Sequence, residues 1–73
     1  MIKVDGDSSI RDINREYGWK LPDDEAATIA GLIIHETRSI PKKGSIYSFH
    51  GFRFKILDRQ RNQITSIRIQ KEI

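Results

Sequence analysis

The hydrophobic period of this 73-residue chain changes once, around Pro41. Before it, Ile10, Ile13 and Tyr17, and then Ala26, Ile29, Ala30, Ile33 and Ile34, recur at the i, i+3, i+4 spacing of helices. After "IPKKG", residues 40–44, apolar and polar side chains alternate, as they do in strands with one wet face. A chain that is helical in its first half and extended in its second can bury both halves by laying the helices on one side of the sheet. An initial apolar-basic-apolar "IKV" adds a short edge strand. The expected fold is therefore α+β in two layers. Its element order is β-α-α-β-β-β, with a small, mainly antiparallel sheet covered by two helices, and residues 1–73 form a single domain.

Within that frame the punctuation places each element. "DGDSS" after the first strand is a turn. Ser9 is suited to cap the first helix, with Asp12 three residues on as a weak capping box and Gly18 just past its end. "WKLP" connects to the second helix, where Asp23, Asp24 and Glu25 put negative charge at the positive N-terminal end. That helix is predicted to stop around residues 37–39, because the residue before a proline avoids helical dihedrals. Gly31 in its interior points to close packing of its backbone on the sheet or the first helix, since glycine there costs about 1 kcal/mol relative to alanine. Strands are predicted near 45–49, 52–57 and 64–70. His50-Gly51 forms a two-residue hairpin, and "DRQRNQ", residues 58–63, a longer, flexible polar tip. Gly44 suits the start of a strand.

Period two decides how the stretch "SFHGFRFKILDRQRNQITSIRI", residues 48–69, can be used. It mixes aromatic and basic residues as nucleic-acid-binding sheets do, yet such sheets need rings and cations on one face. Here Phe52, Phe54 and Ile56 fall on one side, and Arg53 and Lys55 on the other. The first set belongs to the core, joined by Thr65, Ile67 and Ile69 of the last strand, and the cations belong to solvent.

Charge is divided unevenly along the chain. Residues 1–36 carry 4 Lys/Arg and 8 Asp/Glu, a net −4, and residues 37–73 carry 9 and 2, a net +7. Arg53, Lys55, Arg59, Arg61 and Arg68 form a candidate interaction surface for nucleic acid, anionic lipid or an acidic protein, although the domain's own acidic half is an equally good counterpart. With no cysteine there is no disulfide framework or thiolate metal site. No apolar run approaches the roughly 20 residues of a membrane-spanning helix. A core this small and unstapled is marginal, which suits a segment of a longer protein.

Catalytic and ligand motifs fail on inspection. Asp5, Asp7, Ser9 and Glu16 have calcium-loop spacing, but Ile10 stands where the loop requires glycine. "HETRS" from His35 lacks the second histidine of a zinc protease motif. The five glycines are isolated, so no phosphate loop exists, and no serine has a partnered base at a known spacing. Neither catalytic nor metal-binding residues, nor a cofactor, are expected.

Four segments together resemble one family: "VDGDSSIRDINREYGWKLP" (4–22), "TIAGLIIHETRSIPKKG" (28–44), "FHGFRFKIL" (49–57) and "ITSIRI" (64–69). Their most specific residues are Asp5, Gly6, Asn14, Leu21, Pro22, Thr28, Gly31, Pro41, Gly44, Gly51 and Phe54. The resemblance is to the transporter-associated domain of CorC/HlyC type, found in magnesium and cobalt efflux proteins and hemolysin-like membrane proteins. It implies a non-catalytic domain at the C-terminus of a larger protein, after a membrane region and a pair of CBS domains, on the cytoplasmic face. Such a domain modulates ion transport through its own chain, a second copy, or weak contact with an anionic membrane surface, and binds no specific nucleic acid. The family's fold is also similar to a flavin-binding module. Two other readings stay open: a small nucleic-acid-binding module using the basic half, and a flavin- or nucleotide-binding domain.

Overall fold

A computed structural model describes residues 1–72 of the chain. Its elements are β1 (Ile2–Asp5), α1 (Ile10–Tyr17), α2 (Ile29–Thr37), β2 (Ile46–Phe49), β3 (Phe52–Gln60) and β4 (Gln63–Lys71). The four strands form one antiparallel sheet in the order β1-β4-β3-β2, so the chain's first strand lies beside its last. Ile10 and Ile13 of α1 and Ile29, Leu32 and Ile33 of α2 share a core with Phe52, Phe54, Ile56, Ile64, Ile67 and Ile69 of the sheet. The helices thus cover one face, as the change of period requires.

Helix α1 begins and ends where its sequence places it. The Ser9 hydroxyl accepts from the Asp12 N–H at 3.3 Å, and Gly18 closes the helix in the left-handed region at φ 68. The connector that follows is held by one side chain. Asn14 Nδ2 donates to the Leu21 carbonyl at 2.9 Å, and Asn14 Oδ1 accepts from the Leu21 N–H at 2.9 Å. This seats Leu21 in the core at 3% exposure. Replacing Asn14 by Asp keeps the acceptor but sets a carboxylate oxygen against the Leu21 carbonyl. The expected loss is about 1–3 kcal/mol, measurable by urea unfolding, and a negligible loss would show that the amide does not hold the connector.

Helix α2 starts later than its acidic residues suggest. Thr28, not the Asp23–Glu25 run, caps it, with Oγ1 accepting from the Gly31 N–H at 3.1 Å. The reason is a link between the two helix starts. Ser9 and Thr28 form an isolated antiparallel bridge, in which the Ile10 N–H donates to the Ala27 carbonyl and the Ile29 N–H to the Ser8 carbonyl. Thr28 is thereby extended, at φ −118 and ψ 160, and Asp23 pairs with Arg11 at 3.0 Å on the surface. The helix ends at Thr37, followed by Arg38 at φ 58, within the predicted limits.

Gly31 does not press on the sheet or on α1. A Cβ built there would meet Thr28 Oγ1 at 3.1 Å and the Ala26 Cβ at 3.3 Å, both beside its own helix start. The close approach occurs instead at Gly6, whose N–H donates to the Thr65 carbonyl at 3.0 Å and whose carbonyl accepts from the Ala30 N–H at 2.8 Å.

The hairpins differ from each other as well. His50 and Gly51 turn with φ 56 and 81, as the two-residue reading requires, and His50 Nε2 lies 2.9 Å from Glu36 Oε1 at the end of α2. The "DRQRNQ" tip, by contrast, is mostly strand. Strand β3 runs to Gln60 and β4 starts at Gln63, leaving only Arg61 and Asn62 as the turn. Near this end the register slips twice: Ile56 faces Ile67, Asp58 faces Ser66, and Arg59 faces Ile64. One extra residue on β3, Leu57, and one on β4, Thr65, compensate each other as paired bulges. The second changes which side chain turns inward. Ile64 is buried at 4% exposure, and Thr65, expected in the core, is only half-buried.

Candidate interaction surface

The helices leave the opposite face of the sheet uncovered, and the register dictates which residues meet on it. In β1 the exposed positions are Lys3 and Asp5, while Ile2 and Val4 pack toward the core. Lys3 stands opposite Arg68 of β4, and Arg68 stands opposite Lys55 of β3. Three cations therefore form one row across three strands, with strands about 4.8 Å apart. Ile46 of β2, 56% exposed, continues that row beside Lys55. The row on one side holds Ser48, Arg53 and Gln70, and the row on the other holds Asp58, Ser66 and Asp5.

Of the five cations singled out from the sequence, the structure brings together Arg53, Lys55 and Arg68 on this face. Arg53 is partly neutralised by Glu72, 3.4 Å away. Arg61 lies apart, on the β3–β4 turn. Arg59 has another role. Opposite the buried Ile64, it points around the helix side of the sheet, and its guanidinium donates to the carbonyls of Ile40, Pro41 and Arg61 at 3.2, 3.3 and 2.7 Å. It anchors the loop that carries the chain from α2 to β2, which also explains why Ile40-Pro41 can sit against the sheet. Lys3 lies in the acidic half of the chain, so the division of charge does not point to it, although the alternation of "IKVD" is enough to place it outward.

The aromatic side chains all lie on the other side. Phe52 and Phe54 are buried, Phe49 stacks on Phe54 with ring centroids 4.5 Å apart, and Trp19 covers Phe52 at 4.9 Å. Cations and rings are on opposite faces, so the basic face has no stacking platform of the kind that holds unpaired bases.

A concave feature lies at one end of the molecule. An open cleft of about 530 Å³ runs between the β1–α1 loop, the start of α2 and the β3–β4 turn, lined in part by Asp5, Gly6, Asp7, Thr28, Gly31 and Gln63. Helix starts bind anions when their N–H groups are free. Here Ile29, Ala30, Gly31 and Leu32 donate to Ser8, Gly6, Thr28 Oγ1 and the Thr28 carbonyl respectively. Asp5 and Asp7 add negative charge to the same wall. The cleft is therefore unsuited to phosphate, and Gly6, Thr28 and Gly31 in its wall take part in the joint between the helix starts. Among the described residues, no three His, Asp or Glu side chains gather closely enough to hold a metal ion, and no helix is long and apolar enough to cross a membrane.

Comparison with known proteins agrees with this architecture. The UPF0053 inner membrane protein YfjD of Escherichia coli is 33% identical over 68 residues, covering 93% of this chain and 16% of its own length. The magnesium and cobalt efflux protein CorC of Escherichia coli is 27% identical over 63 residues, covering 86% of this chain and 22% of its own length. The chain thus spans between a sixth and a quarter of these two relatives. A functionally unknown conserved protein of Haemophilus influenzae has the same fold with a TM-score of 0.89 at 32% identity, covering 94% of this chain and 85% of that one. The CorC_HlyC domain of a Xylella fastidiosa hemolysin, solved in complex with magnesium and manganese, superposes with a TM-score of 0.81 at 25% identity, covering 94% and 84%. The family model of the CorC_HlyC transporter associated domain matches residues 1–72, and the chain belongs to that family.

Proposed function

We propose that this domain is a non-catalytic regulatory part of a membrane ion-transport protein of the magnesium and cobalt efflux or hemolysin-like kind. It acts on the cytoplasmic side through contacts with the CBS pair and membrane region of its own chain. The observation that carries this reading is the family match over residues 1–72, together with relatives several times longer that include an inner membrane protein and a magnesium and cobalt efflux protein. The architecture supports it. The chain's polar backbone groups at the helix starts are used to join its own elements, while a whole sheet face is left as a patterned surface. Such a domain supplies contact area instead of chemistry.

The test uses the full-length protein that carries the domain, reconstituted in vesicles loaded with magnesium or cobalt. Removing the domain is expected to change the rate of efflux or its dependence on internal ion concentration while leaving transport itself in place. Identical efflux with and without the domain over the whole concentration range would overturn the regulatory role.

A further inference from the structure

We infer that the uncovered sheet face is a self-complementary docking surface, on which a second copy of this domain packs face to face about a two-fold axis. The inference rests on the reading of the domain as a contact module and names its partner. Lys3, Arg68 and Lys55 are directly opposite one another across β1, β4 and β3. Like charges in opposed positions destabilise a sheet, and none of the three has an ion-pair partner among the described residues. One row away on the same face stand Asp5 and Asp58, flanking the neutral Ser66.

A two-fold axis lying between these rows, parallel to them and in the plane of contact, exchanges them. Lys3 of one copy then faces Asp5 of the other, Lys55 faces Asp58, and Arg68 faces Ser66, with every pair occurring twice, as an isologous interface demands. Two sheets pack about 10 Å apart, a span that opposed Lys and Asp side chains bridge. Leu57, the extra residue of the β3 bulge, lies between the two rows and hence beside the axis. It is half-buried yet stands outside the hydrophobic cluster of the core.

The pattern favours a second copy over a lipid surface. An anionic membrane attracts the cation row but repels Asp5 and Asp58, whereas a partner presenting both signs one row apart pairs Lys3 with Asp5 and Lys55 with Asp58 and sets no like charge opposite Arg68, and this face is itself such a partner. The molecule measures 31 × 21 × 18 Å, so its broadest face projects to less than the about 800 Å² per partner of a standard stable interface. The isolated domain should therefore associate weakly, with the dimer strengthened when a larger chain brings two copies together.

Sedimentation equilibrium and amide chemical shifts of the 73-residue domain, followed from dilute solution to about 1 mM, test this, because weak interfaces populate their complexes in that range. A monomer–dimer equilibrium is expected, weakening as salt rises, with shifts confined to outward positions of β1, β3 and β4. Lys3→Asp alone or Asp5→Lys alone should weaken it about tenfold or more, since each sets like charges against each other twice. The double exchange Lys3→Asp with Asp5→Lys should restore it, because the swapped rows remain complementary. Both positions are exposed on an edge strand, and thermal melts verify that the variants stay folded. A monomer at every concentration, dimerisation through strand edges, association indifferent to the swaps, or binding to anionic vesicles in place of self-association would each overturn the inference. If the domain is monomeric while its removal still alters efflux, this inference fails and the regulatory reading survives.

Discussion

Replacing Gly6 by alanine is expected to unfold the domain or to cost about 3 kcal/mol or more, at the upper end of what overpacking does. A Cβ at this position would lie 1.8 Å from the Ile64 carbonyl oxygen and 2.9 Å from its carbon. Both obstacles are backbone, so no rotamer change relieves them. Nor can Gly6 retreat, because its N–H is bonded to Thr65 and its carbonyl to the first turn of α2. The strand that would have to yield, β4, lies between β1 and β3. Gly31→Ala is the useful contrast. Its new Cβ meets the Thr28 hydroxyl at 3.1 Å and the Ala26 methyl at 3.3 Å, so a few tenths of an ångström of adjustment at the cap is set against the roughly 1 kcal/mol that alanine gains in a helix. Thermal unfolding of the two variants separates them. A Gly6→Ala domain that melts within a few degrees of the parent would show that the β1–α1 loop does not approach β4 so closely.

This pair also shows what the sequence discloses. A glycine inside a helical pattern is conspicuous, so attention falls on Gly31, whereas Gly6 sits in "DGDSS" and looks like any turn residue. Its constraint comes from β4, nearly sixty residues away, and local pattern contains nothing of that. The same holds for the start of α2. Asp23, Asp24 and Glu25 satisfy the local rule for a helix N-terminus, but the bridge between Ser9 and Thr28 supplies backbone acceptors from another segment and moves the start to Ile29. The bulges at Leu57 and Thr65 are a third case. Alternation places Phe52, Phe54 and Ile56, and Ile67 and Ile69, where pairing is regular, and fails at Thr65, where an extra residue reverses the phase. What period and caps do specify, the sheet-and-helix layering and α1 from its Ser9 cap to Gly18, is as expected. For the surface, outward positions were legible for Arg53, Lys55 and Arg68. The anchoring of Arg59 to Ile40 and Pro41 was not, because it depends on where a distant loop passes.

Phe54→Ala is expected to cost about 3–5 kcal/mol, the usual loss for a buried phenylalanine, while the neighbouring Arg53→Ala is expected to cost less than about 1 kcal/mol. Phe54 is fully buried, stands opposite Ile69 on β4 and Tyr47 on β2, and stacks on Phe49. Truncating it opens a void at the centre of a core that has twelve buried hydrophobic side chains among the described residues, leaving few neighbours able to move in and fill it. Small single domains have only about 5–15 kcal/mol of stability in all, and an unstapled chain of this size has less room than most. Arg53 is one residue away but on the other face. Its side chain is 53% exposed and its ion pair with Glu72 is long at 3.4 Å, so truncation releases a solvated charge and little else. The two substitutions therefore divide β3 into a face that holds the domain together and a face free to be used by a partner. Urea denaturation of both variants measures the division directly. Equal losses would mean that the cations of β3 are part of the folded core's support, and the uncovered face would then have no claim to be a docking surface.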